Sequence, residues 1–219
     1  MALTHATMMN TKDLLRIAAG LGLTARQLDT AAVRAINDTA RHARGKTRKA
    51  VRAYLTLPAN SVNSRVDVSE KAKRGSLTAK VSIGRAGDKR ANPRPTLLSY
   101  KGKPKHPRSE AKRTKRGKLT KSARAAFSYQ ITKAGARKTF KKAFVQRRRD
   151  GANNVQAFVR GGEARYPLVV PRGPSVSAVW QASDQNNVAE PVLKDTNQHL
   201  PHETQRQSQL ILRKAFPGK

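Results

Sequence analysis

The sequence predicts an α+β fold: helices at the N-terminus, antiparallel β-hairpins forming a central sheet, a long basic loop, and a helix at the C-terminus. Three observations carry that prediction. Apolar residues recur at helical spacing in the first quarter of the chain and again near its end. Between those stretches they alternate with polar residues, which is the period of a strand. Elements of one type also come in runs, which points to α+β rather than to alternating α/β.

The clearest helix starts at Thr24. Thr24 is placed as N-cap, Gln27 stands at the N3 place of a capping box, and Leu23 and Leu28 stand where a hydrophobic staple needs them. The apolar series Leu28, Ala32, Ala35, Ile36, Ala40 and Ala43 then follows one helical face. Alanine lets a neighbouring element approach closely but buries little area. Gly45 is expected to end or interrupt the helix, with a second basic helix over residues 47–57 stopped by Pro58. A short leading helix is expected over residues 11–19.

The period changes from Val62. Val62, Val66 and Val68 alternate with polar residues, and so do Leu77, Ala79, Val81 and Ile83 after a turn at residues 71–76. Two such runs predict a β-hairpin. Short strands are expected at residues 96–100 and at Phe127, Tyr129 and Ile131. A second hairpin joins residues 140–148 to 154–160 through Asp150-Gly151 and Asn153, residues tolerant of positive φ. A further strand is expected at residues 166–170, then a turn at Pro171-Arg172-Gly173-Pro174. From residue 183 the chain leans to helix, with Leu200, Thr204, Ser208, Ile211, Leu212 and Ala215 as one face. Its acids, Asp184, Glu190, Asp195 and Glu203, make this end much less basic than the middle.

The chain carries 46 Lys and Arg against 13 Asp and Glu, a formal charge of +33 over 219 residues. Such charge speaks of partners and solubility rather than fold. Hydrophobic residues make up 37% and aromatics 5%, so the core is expected to be thin and to need neighbours. There is no cysteine, which removes disulfides and thiolate metal sites. Residues 1–9 do not read as a signal peptide, and no apolar run approaches the ~18 residues of a membrane span.

Chemistry-bearing patterns are scarce. No Gly-x-Ser-x-Gly elbow and no phosphate-binding loop is present. Gly20-Leu21-Gly22 lacks the third glycine and the preceding strand of a dinucleotide fingerprint, and reads as a turn. Asp29 and Asp38 do not face each other on a helix and read as surface charges. His199 and His202 share a helix face but have no third ligand in view. The chain is therefore expected to be non-catalytic and to carry no cofactor or metal.

Three basic tracts remain. The first holds Arg41, Arg44, Lys46, Arg48, Lys49 and Arg52. The second spans residues 101–121 and includes Lys112, Arg113, Lys115, Arg116 and Lys118. The third holds Arg137, Lys138, Lys141, Lys142, Arg147, Arg148 and Arg149. The helix macrodipole accounts for cations near a helix C-terminus, but not for the density of the second tract. Cations against phosphates release counterions and give sequence-independent, salt-sensitive affinity. Aromatics are not interleaved with them, and no zinc-finger or RNA-recognition pattern appears. The tracts fit contact with a DNA backbone, or with acidic neighbours in an assembly.

The stretch from residue 143 to 180 is the most distinctive. It reads Ala143-Phe144-Val145, a glycine-turn hairpin ending Ala157-Phe158-Val159-Arg160-Gly161, Arg165-Tyr166-Pro167-Leu168, then Gly173-Pro174-Ser175-Val176. It resembles the minor tail protein Z family of lambda-like phages and prophages. The N-terminal half is similar too, with Ala35-Ile36-Asn37 and Ala43-Arg44, and so is the C-terminal His202-Glu203 with residues 210–213. The resemblance implies a tail completion role at the head-proximal end of the tail, in a ring around the DNA channel. Implied partners are copies of the chain itself (six being one candidate order), tail terminator or tail tube proteins, head–tail connector proteins and DNA, with no membrane. The implied location is the virion tail, reached from the host cytoplasm. Within the motif, Pro167, Gly173 and Pro174 are expected to fix a turn. Phe144, Phe158, Tyr166 and Trp180 are expected to pack a sheet against a helix.

The organisation expected is one tail-completion domain. Residues 1–57 are helical, 58–100 a hairpin region, 101–124 a basic arm, 125–182 a sheet, and 183–219 helical.

Overall fold

The computed structural model describes residues 24–84, 94–104, 115, 127–140, 143–147, 155–161, 167–182 and 188–215. The expected leading helix, the Gly20-Leu21-Gly22 turn, Leu23, Tyr166 and most of the basic arm lie outside the described residues.

The elements, in order, are α1 (Ala25–Tyr54), α2 (Ala59–Asn63), β1 (Val66–Glu70), β2 (Lys80–Ile83), a 3₁₀ turn (Leu97–Ser99), β3 (Lys103–Pro104), β4 (Phe127–Tyr129), β5 (Lys138–Phe140), β6 (Ala143–Arg147), β7 (Val155–Arg160), β8 (Leu168–Val169), α3 (Val176–Gln181) and α4 (Glu190–Ala215). Helices flank small antiparallel sheets, the α+β class expected from the sequence. The chain divides into two compact units. One comprises Met1–Val51, Val62–Lys89 and Val176–Lys219, the other Arg52–Ser61 and Arg90–Ser175.

In the first unit α1 begins as its sequence dictates. The Gln27 amide donates to Thr24 Oγ1 at 3.3 Å and the Thr24 amide donates to Gln27 Oε1 at 3.0 Å, the reciprocal bonds of a capping box. The helix does not stop at Gly45. It runs 30 residues, about 45 Å, because the apolar stripe continues through Val51 and outweighs one exposed glycine. Ala31, Ala32, Ala35, Ile36 and Ala40 are buried along it. Ile36 packs with Ala72 and Leu200, flanked by Val33, Leu77 and Ala79.

Val62 is buried in the short α2 rather than in a strand. The strand period begins only at Val66, which pairs with Ile83, followed by Val68 with Val81. Asn37 fixes the connection between these strands. Its side-chain amide donates to the Ala72 carbonyl at 3.0 Å and its oxygen accepts from the Ala72 amide at 2.9 Å. The amide thus mimics a strand pairing, holding residues 71–76 against α1. In α4, Leu200, Thr204 and Ser208 of the expected face are buried, Ile211 and Leu212 are half-buried, and the inward face extends two turns earlier through Thr196 and Val192. Where alanines meet this face, packing is incomplete. A cavity of about 60 Å³ remains, bordered by Ala40, Ala43, Thr39, Trp180 and Thr196.

In the second unit three strands pair in the order β3-β4-β5 and three in the order β6-β7-β8. The expected hairpin forms between β6 and β7, with Phe144 opposite Phe158 and Arg147 opposite Val155. Residues 96–100 form a 3₁₀ turn instead of a strand, because the Tyr100 side chain turns inward and is fully buried. Phe127 is also fully buried and stacks on its cross-strand partner Phe140 with ring centroids 5.9 Å apart. Backbone bonds from Thr56 to Ile131 and from Lys133 to Tyr54 tie the segment after α1 to this sheet region.

The motif at 171–174 is not a turn. It lies extended beside residues 95–97: the Leu97 amide donates to the Pro171 carbonyl at 3.0 Å and the Gly173 amide to the Pro95 carbonyl at 2.8 Å. Gly173 is needed for space rather than for positive φ. A Cβ there would stand 2.4 Å from Cε2 of Tyr100, whose hydroxyl donates to the Pro174 carbonyl. The prolines suit an extended edge that offers carbonyls and needs few amides.

Candidate nucleic-acid interface

The first basic tract lies entirely on α1, and helical geometry sorts its members. Arg48 is structural. Its guanidinium donates to the carbonyls of Val66 at 2.7 Å and Asn63 at 2.8 Å, closing the entrance to β1. Arg44 pairs with Asp67 at 3.1 Å, and that contact holds the Asp67 carboxyl below its usual range. Lys46 pairs with Asp195 of α4 at 3.1 Å. Arg41 pairs with Asp38 and remains largely exposed. Lys49 and Arg52 are exposed and enter no ion pair among the described residues. Exposed pairs such as Arg44–Asp67 contribute only ~0–1 kcal/mol, so a phosphate can compete for them. The arginine held by two carbonyls is committed.

Of the second tract, Lys115 is described, exposed at a turn; Lys112, Arg113, Arg116 and Lys118 lie outside the described residues. In the third, Arg137 donates to Ser128 Oγ at 2.9 Å and to the Lys101 carbonyl at 3.3 Å. Arg147 contributes its backbone to β6, while Arg148 and Arg149 lie outside the described residues. Among the described residues, the first tract forms a cationic face on α1.

The motif residues serve the fold where they are described. Phe144 and Phe158 are cross-strand partners. Pro167 is exposed, its carbonyl accepting from the Gly161 amide. Gly173 and Pro174 enclose Tyr100. Trp180 is buried in α3 of the first unit, a helix that contacts β2, and it borders the cavity together with Val81 and Ile83 of that strand.

Two polar clusters join α1 to α4, and sequence reading had found neither. In one, His42 and His199 stack with centroids 3.9 Å apart and planes at 17°. His42 Nε2 lies 2.7 Å from Asp195 Oδ2, and His199 Nδ1 lies 3.4 Å from Thr39 Oγ1. Burial, followed by the neighbouring His42, pushes the His199 imidazole below its ordinary pKa. The hydrogen bond from His42, then that from Lys46, holds the Asp195 carboxyl low. In the other cluster, Glu203 accepts from Arg206 Nε at 2.9 Å and from Gln207 Nε2 at 2.9 Å. Gln207 also donates to Asp38 at 3.0 Å. The Arg206 contact is the main reason the Glu203 carboxyl is held down to about 2. Asp38 is thus a half-buried partner of α4 rather than the ordinary surface charge it looked like. The partners are 149–169 residues apart, and no local pattern signals such pairs.

The charged groups of these clusters bond to one another, whereas Arg34, Lys49 and Arg52 on α1 are exposed and enter no ion pair among the described residues. Cations along one helix can contact a phosphate backbone without reading sequence. No curated protein and no solved structure matches the chain. The model of the family described as prophage minor tail protein Z (GPZ) matches residues 19–216. The chain therefore belongs to the prophage minor tail protein Z family, structural proteins of the phage tail.

Proposed function

We propose that the protein is a tail completion protein at the head-proximal end of the tail, where copies of it form part of the channel for DNA passage and join tail to head. The observation that carries this reading is the family match over residues 19–216. The charge of +33 supports the channel assignment. Cations facing a duplex neutralise phosphates without reading sequence, and a channel that must hold and then release any genome end needs that kind of contact. Repulsion among so many like charges opposes compaction of a lone chain, so assembly with copies, with tail tube or terminator proteins and with connector proteins fits the composition. The protein acts without catalysis, and assembly takes place in the host cytoplasm.

The test is to locate the chain in images of assembled particles. The expected result is a ring of this chain between tail tube and head connector. Tails purified from intact virions that lack the chain would overturn the reading, as would its placement at the distal tip.

A second reading has one observation in its favour: Lys49 and Arg52 are exposed and in no ion pair among the described residues. On that reading the protein is a free, non-sequence-specific nucleic-acid-binding architectural protein. It requires tight duplex binding by the isolated chain with a steep salt slope, together with absence from particles.

A further inference from the structure

Gly45 is the feature of α1 that the fold does not explain. It sits in the interior of a 30-residue helix, where glycine is less favourable than alanine. Its φ is not positive, so no backbone requirement excludes a side chain. A Cβ added there meets nothing within 4 Å, and the residue is exposed, so no packing requirement excludes one either. The remaining use of glycine at such a place is to let something outside the chain approach the helix backbone closely.

The surroundings indicate what approaches. At ~100° per residue, Arg34, Arg41, Gly45 and Lys49 fall within about 80° of arc and span about 22 Å of helix. The opposite side carries the buried Ala32, Ile36 and Ala40. Arg34 and Lys49 are exposed and in no ion pair among the described residues. Arg41 is largely exposed, and its partner Asp38, which lies in the same arc, is turned to Gln207 and Arg206 of α4. Gly45 is thus a bare stretch of helix framed by Arg41 one turn before and Lys49 one turn after.

We propose that this face of α1 seats the phosphodiester backbone of duplex DNA, with Gly45 as the point of closest approach and Arg34, Arg41 and Lys49 as its phosphate contacts. The proposal rests on the reading of the protein as a DNA-channel component, and it names the contact within that channel. It adds Arg34 and Gly45 to the interface and removes Arg48, which the fold uses.

The experiment measures binding of the full chain to a short fluorescent DNA duplex over a series of salt concentrations, alongside thermal melting. Gly45→Ala is expected to raise the melting temperature by about 2–4 °C while weakening duplex binding at least ~5-fold. R34A/K49A is expected to lower the slope of log affinity against log salt by about 2. The charge-matched K194A/R213A, on the exposed side of α4, is expected to lower it by less than half as much. Unchanged duplex affinity in a stabilised Gly45→Ala variant overturns the proposal. So does an equal loss of slope in K194A/R213A, which would mean that net charge alone binds DNA. These measurements use isolated protein and DNA, so they stand apart from the imaging that tests the tail position.

Discussion

At position 173 a Cβ would stand 2.4 Å from Cε2 of the fully buried Tyr100 ring. That ring carries much of the small core of the second unit. Gly173→Ala is expected to cost about 1–3 kcal/mol through overpacking, read as a drop in the denaturation midpoint. Tyr100→Phe keeps the ring and loses the bond to the Pro174 carbonyl, so its expected cost is smaller, ~1 kcal/mol. Glu203 gives a pH-dependent counterpart. Its carboxyl is held down to about 2 against an ordinary 4.5, so the folded state binds its proton less readily than the unfolded chain. The stability this contributes is present above about pH 4.5 and is lost as pH falls toward about 2. Glu203→Gln is therefore expected to melt below wild type at neutral pH, with the gap closing across that window. A gap that stays constant with pH would falsify the assignment. The motif glycine was legible in the sequence as special, but its reason was not. A turn and a close ring approach both favour glycine, and only the position of a residue 73 places earlier separates them.

Among the elements, α1 shows how far local signals reach. Thr24 and Gln27 announced the capping box, and the structure forms both of its bonds. Thr24→Ala is expected to cost about 1 kcal/mol, measured by thermal melting. Gly45 suggested a break, yet the helix passes through it. Glycine costs a helix only about 1 kcal/mol, and Val51 and Thr47 are anchored by burial beyond it. The β6–β7 hairpin was legible because both strands alternate and the turn residues sit between them. The segment at 171–174 was misread for the same kind of reason: Pro and Gly mark turns locally, but here they face the backbone of residues 95–97. Asn37→Ala removes two hydrogen bonds to Ala72 and is expected to destabilise by about 2 kcal/mol, loosening the link between β1 and β2.

On the scale of the whole molecule the +33 charge divides into used and available cations. Arg48 and Arg137 bond to carbonyls, and Arg44, Lys46 and Arg206 bond to carboxylates. The exposed face of α1 retains Arg34, Lys49 and Arg52. Family membership places the protein in the phage tail, as a structural component. If the channel reading holds, the affinity of the intact chain for duplex DNA should fall steeply with salt and show no preference among sequences. A binding curve that is flat in salt, or that discriminates between unrelated duplexes, would contradict it.

The sequence by itself determined the α+β class, the start of α1, the β6–β7 hairpin, the family and the excess of positive charge. These rest on periodicity, caps, turn residues and composition, all of which act over a few neighbouring positions or over none. Tertiary structure alone decided that α1 is one helix, that Gly173 makes room for Tyr100, and that Asp38, His42, Asp195, His199 and Gln207 bond between α1 and α4. It also decided which cations are committed. An arginine that caps two carbonyls and one that faces solvent look alike in sequence, because the difference lies in partners brought close only by folding.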